Sequence, residues 1–225
     1  MVSPSPDSPD SLDHQLAALA APLLEAMSAA HRAREIALAA CRKTIRSCGD
    51  SIRAVHRQEA DRAAALAADA EASLREAQEA LAPFPSLSAS GPLHDAEKEY
   101  AEARLTAALV QGSPLPPAGE VGVSAAAWFN GLAEAASELR RHLLDRLRAG
   151  ELERAESLLA AMDSVYGLLV TVDFPDALTG GLRRTTDAFR AVLERTRGDL
   201  TITVLQTRLQ SAIESRLDFG SAPGP

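Results

Sequence analysis

An all-α fold is predicted by three features of the sequence. Alanine supplies much of the apolar content, apolar residues recur at helical spacing almost from end to end, and Val and Ile cluster only around Ile202 to Leu205, too briefly for a sheet. Alanine is the best helix former, and its small side chain lets helices approach closely. The 225 residues are enough to bury the core of one large domain.

The elements follow from their punctuation. Residues 1–11, rich in Pro, Ser and Asp, read as a disordered tail, and residues 217–225, rich in Gly and Pro, as another. Residues 12–216 between them form a single helical domain. A first long helix is expected from about Leu23, after Pro22, to Arg57. An Ala-rich second helix covers about Glu59 to Leu81 and stops at Pro83-Phe84-Pro85. A third runs from about Leu93 to Gln111, and Pro114, Pro116 and Pro117 mark the loop that follows. Ser124 is a good N-cap for a fourth helix, and Gly150 a natural stop for it. A fifth spans about Leu152 to Val172. Beyond Phe174-Pro175 and Gly180-Gly181, one or two final helices reach Arg216.

Composition narrows the function. No apolar run is long enough to span a membrane, and Met1 to Asp10 lacks the basic and apolar parts of a signal peptide, so a soluble, cytoplasmic protein without a membrane partner is expected. Cys41 and Cys48 make no metal-finger spacing and read as reduced thiols on one helix face. A net charge of -8 argues against a protein uniformly built to hold nucleic acid. The distribution is uneven, however. From Arg32 to Arg57, the cations Arg32, Arg34, Arg42, Lys43, Arg46, Arg53 and Arg57 face only Glu35 and Asp50. Arg183, Arg184, Arg190, Arg195 and Arg197 outnumber Asp187 and Glu194 in the last segment. Lys43 and Lys98 are the only lysines, and the planar fork of arginine suits phosphate.

Several common catalytic signatures are absent. There is no glycine-rich phosphate loop, no Gly-x-Ser-x-Gly elbow and no His-Glu-x-x-His. Glu-x-x-His pairs of a di-iron bundle are missing too, since Glu138 and His142 lie four apart. What remains is carboxylates. Glu99 and Glu102 sit one turn apart on the third helix, whose second half is apolar nearly all round, as in a buried helix. Like charges held away from water are costly unless a cation joins them. Glu134 and Glu138 are one turn apart on the fourth helix. Its apolar face is formed by Trp128, Leu132, Leu139, Leu143 and Leu147, so periodicity alone turns both glutamates to solvent. If that face lined a water-filled cavity, the two acid pairs could meet and make an oxygen-rich site suited to Mg²⁺ or Mn²⁺.

Several short segments, in order, resemble the translin/TRAX family. Glu99-Tyr100-Ala101-Glu102-Ala103 and Gly131-Leu132-Ala133-Glu134-Ala135-Ala136-Ser137-Glu138 are similar to the TRAX branch. Asp163-Ser164-Val165-Tyr166 and the run from Asp173 to Arg184 are similar to prokaryotic, particularly archaeal, members, and the basic first helix ending in His56-Arg57 fits them as well. The resemblance covers roughly residues 32 to 205. It implies an all-α bundle of about seven helices that assembles into a closed oligomeric shell, an octamer or hexamer, with RNA inside. It implies a metal-dependent endoribonuclease acting on single-stranded RNA, using Mg²⁺ or Mn²⁺. Glu99 and Glu102 match the family's first catalytic acid pair, Glu138 matches its last glutamate, and Glu134 stands where the family has an aspartate, one methylene shorter. All four are the expected catalytic and metal-ligating residues. Arg42, Lys43, Arg46, Arg53, His56 and Arg57 are expected to hold the nucleic-acid backbone. Translin itself lacks the first acid pair and mainly binds nucleic acid, so a non-catalytic oligomer binding single-stranded RNA or DNA is the alternative.

Overall fold

The computed structural model describes residues 12–88 and 91–220, with side chains as far as Arg216. Among them are six long helices and three of a single turn: α1 (Leu12–His56), α2 (Ala60–Leu81), α3 (Pro85–Ser88), α4 (Gly91–Gln111), α5 (Ala118–Val121), α6 (Ala125–Arg148), α7 (Leu152–Leu169), α8 (Asp176–Thr179) and α9 (Leu182–Gly220). No strand occurs among the described residues. The expected tail at 1–11 lies outside them, as do the last five residues of the tail expected at 217–225. The first four of that second tail instead continue α9.

The sequence-based boundaries hold where a breaker sits against the body. The Ser124 hydroxyl accepts a bond from the Ala127 amide at 3.3 Å and caps α6. Gly150, at φ +78°, ends the same helix in the left-handed conformation that glycine adopts freely, and the Glu151 amide closes the turn on the Arg146 carbonyl at 2.9 Å. Two boundaries differ. Helix α1 begins at Leu12, eleven residues before the expected start, and runs straight through Pro22. Proline there removes only one backbone bond, and the stretch is exposed, so water can serve the carbonyl left over. The last segment, expected as one or two helices ending at Arg216, is one helix of 39 residues that runs on to Gly220.

Helix α4 is the middle of the bundle. It packs on α1 and α2 on one side and on α6 on the other, while α6 also carries α7, α8 and α9. The largest fully buried side chains, including Tyr100, Leu105, Leu132, Leu139, Leu143, Met162 and Phe189, lie along these contacts. Both long terminal helices outrun this core. No side chain of α1 before Ala33 is buried, and no described side chain of α9 after Leu200 is.

Candidate metal centre

The site arises where α4 and α6 cross at nearly backbone contact. A Cβ built on Gly131 of α6 would stand 2.7 Å from the Ala101 Cβ, 2.8 Å from the Lys98 carbonyl oxygen and 2.9 Å from the Glu102 amide nitrogen. Only glycine fits. The small neighbours Ala101, Ala133 and Ala135 let the helices close around that point, and all three are fully buried. Glu134, three residues past Gly131, therefore points across the crossing toward α4. The apolar face of α6 suggested solvent for this residue, but Glu134 keeps only 31% side-chain exposure.

Glu99, Glu102 and Glu134 converge there, each offering a carboxylate oxygen within 4.8 Å of the other two. Glu102 is buried, and its carboxyl is pushed up to about 9 by burial first and then by the charges of Glu134, Glu99 and Glu138. It holds its proton at neutral pH when no metal is near. Burial also raises Glu99, against the lowering pull of Lys98. Lys98 sits inside the cluster, its Nζ 2.9 Å from Glu134 Oε1 and 3.4 Å from Glu99 Oε1. Those acids hold its ammonium above the ordinary lysine range, although burial pulls the other way. The Cys48 thiol, fully buried on α1, is pushed up to about 12 by burial and then by Glu99 and Glu102, so the acids lie beneath the buried face of α1.

Glu138 stands apart from the trio. Its Oε2 lies 2.6 Å from His56 Nε2, and this bond, ahead of burial, holds its carboxyl below the usual range. The four expected ligands thus divide into a cluster of three and a separate His56–Glu138 pair. His56 does not share the exposed stripe of the other residues expected to hold nucleic acid. Its side chain is only 2% exposed and is turned inward to Glu138, because its position on α1 falls beside the buried face rather than on the arginine stripe. Arg42, Lys43, Arg46, Arg53 and Arg57 are all exposed. Arg53 is paired with Asp50 and Arg57 with Glu59, whereas Arg42, Lys43 and Arg46 form no ion pair among the described residues.

The donor set fits a hard divalent cation. It is all oxygen, carries up to three negative charges, and spans two rigid helices, which suits Mg²⁺ or Mn²⁺ better than a soft metal. Two participants were missed by the sequence reading. Lys98 had a signal, since it is a lysine in a chain that otherwise uses arginine for every cation but Lys43. The pairing of His56 with Glu138 had none, since 82 residues separate them.

No family model matches the chain. The uncharacterized protein MJ0175 of Methanocaldococcus jannaschii is 27% identical over 141 residues, which span 62% of this chain and 62% of that protein. The solved structure of AfC3PO is 28% identical and superposes with a TM-score of 0.75 over 82% of this chain and 96% of its own. A complex of AfC3PO with duplex RNA, at 27% identity, gives 0.64 over the same shares. The apo form of NeC3PO, at 17% identity, gives 0.73 over 90% of this chain and all of its own, a likeness of fold alone. These structural neighbours are of the translin/TRAX type, and the all-α fold that they share is the fold of this chain.

Proposed function

We propose, for a chain with the fold of the translin/TRAX-type C3PO proteins, that it is a metal-dependent endoribonuclease built on Glu99, Glu102 and Glu134. The observation that carries the reading is a buried carboxylate, Glu102, held against Glu99 of its own helix and Glu134 across a helix crossing that only Gly131 permits. A protein does not ordinarily bury acids together without a cation to join them. An ion held by these glutamates would activate water and offset the charge of a phosphodiester. The chain's own residues supply the rest. Glu102 would bind an ion in its deprotonated form, with Glu99 beside it on α4 and Glu134 opposite on α6, and Glu138, held low by His56, would be the acceptor for a proton from an attacking water.

RNA as the ligand is supported by the AfC3PO complex and by the exposed cations of α1. That complex holds duplex RNA, whereas single strands were expected here, so both belong in the assay; single-stranded DNA is a further candidate ligand. Assembly into a homo-oligomeric shell, an octamer or hexamer, is supported by the unburied apolar stripes at the ends of α1 and α9. A cytoplasmic location suits an RNA ligand, and no described helix is long and apolar enough to cross a membrane.

The deciding experiment incubates the purified chain with labelled single-stranded and duplex RNA, with Mg²⁺ or Mn²⁺ and with chelator. Cleavage is expected only with metal, and Glu102→Gln is expected to abolish it while RNA retention and assembly persist. A second reading, a non-catalytic RNA-binding oligomer, is favoured by one observation: Lys98 already neutralises part of the cluster without metal. Absence of divalent-dependent cleavage in the wild type would establish that reading instead.

A further inference from the structure

We infer that Lys98 is a tethered counter-cation of the carboxylate centre, which fills it in the metal-free chain, must leave when a divalent ion enters, and thereby sets the affinity for metal. The inference rests on the metal-centre reading above. Lys98 Nζ bridges Glu99 on α4 and Glu134 on α6 at 3.4 and 2.9 Å, touching two of the three acids that would ligate the ion, one from each helix. With its side chain only 22% exposed, this is not a solvated surface pair.

The chemistry of the side chain suits the role. An ammonium is a compact point charge with three donors on a flexible four-carbon stem, so it can both stand in for an ion and swing away from it. The planar guanidinium that this chain uses almost everywhere else can do neither as well. Lys98 Nζ holds the Oε1 atoms of both glutamates, so an ion that took those oxygens would displace the ammonium, and the two cations repel each other across the few ångströms between them. Metal entry therefore breaks the Lys98 pairs, and the binding energy is reduced by what they contributed.

Calorimetric titration of Mn²⁺ into the chelator-treated full chain tests the claim. Lys98→Met is expected to bind Mn²⁺ about tenfold more tightly than wild type, or better, and to melt lower in chelator. The gap in melting should close when Mn²⁺ saturates both. A wild-type measurement stands beside it. Acetylation by an activated ester, read by mass spectrometry at Lys98 against the exposed Lys43, should speed up at Lys98 when Mn²⁺ is added. Equal or weaker Mn²⁺ binding by the variant overturns the inference, as does an unchanged labelling ratio, and the labelling alone decides if the variant fails to fold. Failure of the underlying reading looks different: the wild type then takes up no Mn²⁺ that Glu102→Gln abolishes.

Discussion

Glu102 concentrates the chemistry of the site in one ionisation. Its carboxyl titrates near 9 in the folded chain but near the ordinary value of about 4.3 when unfolded. As pH rises, the unfolded state loses its proton first. The stabilisation is therefore complete below the unfolded pKa and drains away as pH climbs through the folded one. Metal-free protein is expected to lose stability steadily between about pH 5 and about pH 9, and Glu102→Gln to show a flatter profile, by urea unfolding at each pH. Parallel profiles would mean that Glu102 ionises normally. Glu138, held low by His56, has the opposite sign and matters only on acidification below the ordinary carboxylate range. Glu99 and Glu102 were legible in the sequence because two acids one turn apart preceded an apolar half-helix. The inward turn of Glu134 was not, because hydrophobic periodicity weighs Trp128 and Leu139 and passes over Gly131 and Ala135, the small residues that admit a second helix on the other side.

At the scale of elements, α1 joins the centre to its expected ligand. Ala37, Cys41, Thr44, Cys48, Ile52 and Val55 form its buried face, and Arg42, Arg46 and Arg53 fall on a stripe roughly opposite. Replacing those three arginines with alanine is expected to weaken RNA retention. It should also flatten the salt dependence on single strands by about 0.7 in log–log slope for each phosphate that an arginine no longer neutralises. Arg42 and Arg46 should account for most of it, since Arg53 is already paired with Asp50. An unchanged slope in filter-binding titrations would make the stripe a solvated face. Most helix boundaries were legible from Pro, Gly and Ser because those residues sit where the chain turns against the body. Pro22 misled because α1 continues through it, although a proline there gives up a backbone bond and crowds the preceding turn.

For the whole molecule, the two terminal helices pose the question of what covers them. Leu12, Leu16, Leu19, Leu23 and Met27 line one face of α1, and Ile202, Leu205, Leu209 and Ile213 one face of α9, every one more than half exposed. The part of α1 with no buried side chain spans 21 residues, roughly 30 Å of helix. Stripes of that length at three- and four-residue spacing are coiled or docked surfaces when they persist in water. Light scattering is expected to give a particle well above a dimer. Leu19→Glu combined with Leu209→Glu should reduce its mass while circular dichroism stays helical. A stable wild-type monomer at micromolar concentration would remove the shell.

The Gly131 crossing also bears on which ion the centre prefers. Because α4 and α6 meet through backbone, the distance between two helix axes sets how far the backbone of Glu134 stands from that of Glu99 and Glu102. The side chains close the rest of the gap, so ion radius is read in part by the helix separation. Oxygen ligands sit at about 2.0–2.1 Å from Mg²⁺ and about 2.3–2.6 Å from Ca²⁺, a difference of a few tenths of an ångström. Gly131→Ala must push the helices apart by at least that much. It is expected to shift the ratio of Ca²⁺ to Mg²⁺ affinity toward the larger ion, measured by competition against Mn²⁺. A ratio unmoved in a folded variant would mean that the carboxylates, and not the helices, set the aperture.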